Sequence, residues 1–259
     1  MSRFNSLEFD GRLENEPRPA SAATKDEGYY LAHAQASFEA GQFEPALRAY
    51  AKVLEFNPHN VAAWSGQVRM LIEQAEFAEA RLWADKALER FPRDPELLAA
   101  KAVALGRLGD YQAALAYSDA SIEVRGDTPY IWLARADVLL SRDESKAEFC
   151  FQKALGFAAS DWFVRWLASR IYFYYKKFSL ALKSAQQALA LNGGLGSVWL
   201  QIGHCQLALG LADMAQNSFA QAQQLNPGDT QAREALQGVP ENGLLGKIRS
   251  RFRQFFHSA

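Results

Sequence analysis

Hydrophobic positions in this chain recur at helical spacing, and β-branched runs alternating with polar residues are hard to find. Alanine and leucine dominate, so helix is expected throughout. The pattern also repeats at longer range. Trp64, Trp132 and Trp199 each head a similar phrase, followed about sixteen residues later by Ala80, Ala147 and Ala215. Pro58 and Pro92 lie 34 residues apart, and Pro227 ends a matching phrase. Small residues recur where two helices must approach closely, at Ala46, Ala80, Ala114, Ala147, Ala181 and Ala215. A second compact series follows seven residues on: Val53, Ala87, Ser121, Ala154, Ala188 and Ala222.

Six units fit this period, at about 27–60, 61–94, 95–128, 129–161, 162–195 and 196–229. Asn60, Asp94, Thr128, Asp161 and Asp229 stand at unit ends, where each can accept a hydrogen bond from the next helix's free N–H groups. Pro95 and Pro129 follow at the first helical position, where a missing donor costs nothing. Gly41, Gly109 and Gly210 mark the turn inside a unit. In the fourth unit Trp132 and Ala147 are fifteen residues apart, so its turn (141–144) is expected to be one residue shorter. The fifth unit has two alignments. Placing Ala168-Ser169 and Tyr172 on the pattern puts Arg165 in a core slot, while aligning Trp166 puts Arg170 in a small-residue slot; the first is preferred.

The order Trp, Leu-Gly, Tyr, Ala, Phe, Ala, Pro resembles the tetratricopeptide repeat, with its best copy at Trp199, Ile202-Gly203, Gly210, Ala215, Phe219, Ala222 and Pro227. The resemblance covers about four-fifths of the chain. It implies an all-α, right-handed superhelical solenoid of about six helix pairs, with Thr230 to Val239 as a C-terminal capping helix stopped by Pro240. The expected layout is a flexible arm over 1–25, a repeat domain over 26–239 and a basic amphipathic helix over 240–259.

The resemblance also implies a groove lined by the first helix of each unit. Its positions fall here on Leu31, Gln35, Phe38, Arg69, Ile72, Val103, Arg107, Tyr130, Leu133, Asp137, Phe163, Trp166, Arg170, Phe173, Tyr174, Leu200 and His204. Candidate partner-binding residues among them are Arg69, Arg107, Tyr130, Phe163, Trp166, Arg170, Phe173, Tyr174 and His204. A family subset grips acidic C-terminal peptides with a Lys, Asn and Arg clamp; the matching positions are Leu31, Gln35, Gly66, Glu96 and Ala100, so that clamp is missing. Residues 162–178 hold eight aromatics. They are either interface anchors or rings repacked into the core of an atypical unit.

Composition narrows the function. A net charge of −1 argues against bulk attraction to nucleic acid. Cys150 and Cys205 are far apart, suggesting neither disulfide nor metal site and a reducing, cytoplasmic setting. His33, His59, His204 and His257 show no ligand spacing. Gly193-Gly194-Leu195-Gly196 lacks the Lys-Ser/Thr of a phosphate loop, and His204-Cys205 point about 100° apart on a helix. The expectation is therefore a non-catalytic scaffold, with a protein partner and no cofactor or small-molecule substrate.

The tail carries Lys247, Arg249, Arg251 and Arg253 without an acid after Asn242, leaving the rest of the chain at −5. Leu244, Leu245, Ile248, Phe252, Phe255 and Phe256 share an arc of about 120° on a helical wheel. Such a helix suits an anionic membrane surface, a partner groove or the acidic body itself. The layout is also similar to bacterial kinesin light chain proteins, which implies filament binding by the repeats and membrane attachment by the tail.

Overall fold

The computed structural model describes residues 25–239, which contain thirteen helices and no strand. Six pairs run from α1 (Glu27–Glu39) and α2 (Phe43–Phe56) through α3 (Val61–Glu73) with α4 (Phe77–Arg90) and α5 (Pro95–Arg107) with α6 (Tyr111–Val124). They continue with α7 (Pro129–Leu140) and α8 (Ala147–Phe157), α9 (Trp162–Tyr174) and α10 (Phe178–Leu191), α11 (Gly196–Ala208) and α12 (Ala212–Leu225). A single helix, α13 (Thr230–Gly238), follows. The segments 1–24 and 240–259, including the basic tail, lie outside the described residues.

Local chemistry explains the boundaries. Asn60, Asp94, Asp161 and Asp229 cap α3, α5, α9 and α13 by accepting from backbone N–H groups, and Asp26 does the same for α1. Thr128 does not: its side chain makes no cap bond, although Pro129 occupies the first position of α7. Gly41, Gly109 and Gly210 take left-handed backbone at φ 73°, 90° and 79°. The other three pairs use the same conformation without glycine, at Ala75 (62°), Asp143 (54°) and Lys176 (56°), where a side chain costs about 1–2 kcal/mol. In the fourth pair the missing residue is taken not from the turn but from the helix. The connection is 141–146, and α8 has eleven residues where the other second helices have fourteen.

Packing follows the two small-residue series. All six residues of the first, and all six of the second, are buried. With nothing larger than alanine in the first series, helix backbones close to contact distance and the larger residues interlock around them. Two glycines do the same: a Cβ on Gly66 would sit 2.4 Å from the Tyr50 ring, and one on Gly203 the same distance from Phe219. Four first helices, α3, α9, α11 and α13, are also tied to the preceding turn by a side-chain donor. The Trp64 indole N–H donates to the Pro58 carbonyl (2.9 Å) and that of Trp199 to Gly193 (3.2 Å). Arg165 and Arg233 occupy the same place in their helices and donate to the Ala158 and Pro227 carbonyls, each at 3.3 Å. The register with Arg165 in the tryptophan slot is thus the one adopted, with Ala168, Ser169 and Tyr172 buried. It also marks α13 as a further first helix.

The chain divides into two compact units, up to Gly126 and from Asp127. In the first, Lys101 projects from a core face of α5, and its ammonium lies 2.6 Å from both Asp85 Oδ1 and Tyr117 Oη. Burial alone pulls the Lys101 pKa down, but the bonds to Asp85 and Tyr117 outweigh it and raise it. In the second, α12 and α13 close over a cluster of Leu200, Ala215, Phe219, Ala222 and Ala232.

Replacing Ala75 by glycine is expected to stabilise the protein by about 0.5–1 kcal/mol, because relief of the left-handed strain exceeds the added chain entropy. Urea unfolding read at the midpoint checks this, and a lowered midpoint contradicts it.

Candidate functional site

Within each unit the first helices lie side by side: α3 against α5 in one, α9 against both α7 and α11 in the other. Residues at the second, fifth, ninth and twelfth places of a helix share one face. In the second unit the fifth-place residues Leu133, Trp166 and Leu200 are all buried and form a floor. Trp166 is only 1% exposed, and its indole N–H donates to the Ser197 carbonyl of the next pair (3.3 Å). Its size and burial make it a support for the face, not a surface that another chain touches.

Above that floor the ninth place carries Asp137, Arg170 and His204 on α7, α9 and α11 in turn. Asp137 is buried and accepts from the Tyr175 hydroxyl at 2.7 Å. The Arg170 guanidinium lies 5.2 Å from the Trp166 ring centroid. His204 sits between Phe219 (5.1 Å, edge to face) and Phe173 (6.3 Å). Burial, and secondarily the charge of Arg170, push the His204 pKa below its ordinary 6.5, so the ring is neutral at pH 7. The neighbouring Cys205 thiol is fully buried, and burial drives its pKa up to about 11. That is the reverse of an activated nucleophile.

Aromatic rings frame this row. Tyr130 and Phe163 lie half-buried at one end, with Phe163 stacked on Trp166 at 5.5 Å. At the other end Phe173 is half-buried and Tyr174 is 41% exposed. Of the eight rings in 162–178, Trp166 and Tyr172 are buried. Tyr172 stacks on Phe151 at 4.1 Å and donates to Glu148. In the first unit Arg69 and Arg107 are half-buried, lying 5.0 Å from the Phe38 ring and 5.6 Å from Phe77. The tail residues Leu244, Leu245, Lys247, Ile248, Arg249, Arg251, Phe252, Arg253, Phe255 and Phe256 lie outside the described residues.

Sequence reasoning missed two participants. Tyr175 holds Asp137, and nothing in its spacing announces that. The Lys101–Asp85–Tyr117 knot had a signal: a lysine at a place where the pattern wants an apolar residue. Among the described residues no cluster of three or more His, Cys, Asp or Glu is placed to hold a metal, and no helix is long and apolar enough to cross a membrane.

A family model described as tetratricopeptide repeat matches residues 9–158, and a second with the same description matches residues 196–229. No curated protein matches. Among solved structures, a tetratricopeptide repeat protein from Parabacteroides merdae is 18% identical, with a TM-score of 0.52, over 83% of this chain and 85% of that one. A thermophilic repeat protein from Thermus thermophilus is 18% identical over 82% and 98%, with a TM-score of 0.48. A chain of the APC/C hetero-tetramer Cut9–Hcn1 is 17% identical, with a TM-score of 0.48, over 84% of this chain. This chain spans 43% of that one. At such identities the likeness is one of fold.

Two outcomes test this geometry. Trp166→Ala is expected to cost about 3–5 kcal/mol of stability, as loss of a buried ring does, seen as a lowered unfolding midpoint. Stability is also expected to fall as pH drops below 6.5. There the unfolded chain protonates His204 while the folded one resists, so unfolding takes up a proton. His204→Gln should remove that part of the slope between pH 5 and 7; an unchanged slope contradicts it.

Proposed function

This chain belongs to the tetratricopeptide repeat family, and on that premise we propose that it is a protein-binding scaffold whose second unit docks a segment of a partner along α7, α9 and α11. Proteins of this repeat family mediate protein–protein interactions in general. The observation that carries the proposal is the set of partly exposed rings, Tyr130, Phe163, Phe173 and Tyr174, held beside Arg170 on a buried floor. Aromatic and arginine side chains supply most hot-spot energy. A floor of buried Leu133, Trp166 and Leu200 means that little has to be ordered on binding. A neutral, ring-packed His204 and a thiol far from ionisation favour holding over transforming.

Filament binding, which the kinesin light chain resemblance implies, would be one instance of this docking; membrane attachment rests on the helical wheel of the tail alone.

The test is affinity capture with the intact chain followed by mass spectrometry. Phe173→Ala with Tyr174→Ala is expected to weaken the stoichiometric partner about thirty-fold or more, the scale of a lost hot spot. Phe149→Ala, at an exposed ring on the second helix α8, should leave capture unchanged. Equal capture by the double variant and the wild type would show that this face is not the site.

A further inference from the structure

The face along α7, α9 and α11 has a chemistry that the equivalent face of the first unit does not share. At the second, fifth, ninth, twelfth and thirteenth places, α1, α3 and α5 carry five charges, Glu39, Arg69, Glu73, Glu96 and Arg107. They carry a single aromatic ring there, Phe38, which is only 1% exposed. The same places counted from the starts of α7, α9 and α11 hold two charges of opposite sign, Asp137 and Arg170, and five Phe, Tyr or Trp rings. Four of those rings, Tyr130, Phe163, Phe173 and Tyr174, keep part of their surface in solvent. A face without net charge and with rings on show favours an uncharged segment over an acidic or basic one.

Spacing points to the backbone form of that segment. Tyr130 and Phe163 occupy the second place on α7 and α9, which lie side by side. Packed helices stand about 8–10 Å apart. A polyproline II helix advances about 9 Å in each three-residue turn. A segment crossing the first helices in that form therefore offers the same side of successive turns to the two rings. In a β-strand the third residue along points to the opposite side.

Hydrogen bonding favours proline within that form. The ninth-place row runs beside the rings. Its acid, Asp137, is buried and held by the Tyr175 hydroxyl at 2.7 Å. Arg170 brings a guanidinium with five N–H groups, and the neutral His204 ring brings one N–H. Donors thus dominate the row. A proline-rich backbone has carbonyls to accept these donors and few N–H groups to leave unmet. In polyproline II form none of its carbonyls is engaged internally. In an α-helix most carbonyls are bonded within the helix, so one laid here would cover the row without meeting it.

We propose that the segment docked on the second unit is an uncharged, proline-rich stretch in polyproline II form, crossing α7, α9 and α11. Its proline rings pack on Tyr130 and Phe163, its carbonyls turn to Arg170 and His204, and Phe173 and Tyr174 bound the far side. Such a segment is extended before it binds, so little of its own freedom is lost. The inference rests on the docking function proposed for this face and adds the chemical class of what is docked.

Fluorescence polarisation with labelled, end-capped decaproline and the full chain tests it. Decaproline is expected to bind saturably, about ten-fold or more tighter than capped peptides of the same length made of Gly-Ser or Glu-Ala repeats. Tyr130→Ala with Phe163→Ala should weaken decaproline about ten-fold or more. Phe163 also stacks on Trp166, so the melting midpoint of that variant is measured alongside. Tyr174→Ala removes an exposed ring without opening the floor, and should weaken binding about three-fold. Equal affinity for the three peptides would overturn the proposal, as would wild-type binding by the Tyr174 variant together with a folded Tyr130, Phe163 variant. The two readings of this face fail differently. A partner captured by the wild type, lost with Phe173→Ala and Tyr174→Ala, yet not displaced by excess decaproline refutes the proline-rich class and leaves docking standing. Capture indifferent to those two changes refutes docking here, and this inference with it.

Discussion

Close approach of helix backbones is the constraint from which the rest follows. A helix of thirteen or fourteen residues is marginal by itself in water, and a pair of them has too little apolar surface to enclose. Alanine at the crossing points, from Ala46 to Ala215, lets neighbours come near enough for the large side chains to interlock. In five of the six pairs the two helices are joined by three residues. The left-handed residue recurs even where the sequence supplies Ala75, Asp143 or Lys176 in place of glycine. Strain at three turns is tolerated because packing on both sides over-determines them.

Much of this was legible beforehand, because it is written in residues with few alternatives. Aspartate or asparagine ahead of an apolar run, proline at a first helical position and small residues at fixed intervals each have a local cause, and their boundaries fall where expected. What was not legible depended on neighbours distant in sequence. One residue fewer between Trp132 and Ala147 did not say whether turn or helix would give way. The helix gave: the connection lengthened to 141–146 and α8 shortened to eleven residues. Thr128 has the chemistry of a cap and makes no cap bond.

The candidate site shows the same division. The repeat period put Trp166, Phe173 and His204 on one face, and they share it. Periodicity does not give depth along a face, however. Trp166 belongs to the floor because α11 brings the Ser197 carbonyl to its indole nitrogen, whereas Tyr174, one turn past Arg170, reaches solvent. Ring count alone mixed these roles, since a tryptophan beneath a surface and a tyrosine on it have the same composition. Tyr172 is a third case, drawn away from the face altogether by Phe151 and Glu148.

The side-chain donor at the fourth place of four first helices has a consequence for how such chains diverge. What the preceding turn requires is an N–H at the right reach, and indole and guanidinium both supply one. Tryptophan and arginine can therefore make the same bond at that place, although Trp64 adds a buried ring packed on Trp83 that arginine does not supply. Descendants of an ancestral module can shed their most recognisable letter while keeping its mechanical office, and kinship among them is better traced through the carbonyl they grasp than through the ring they have lost.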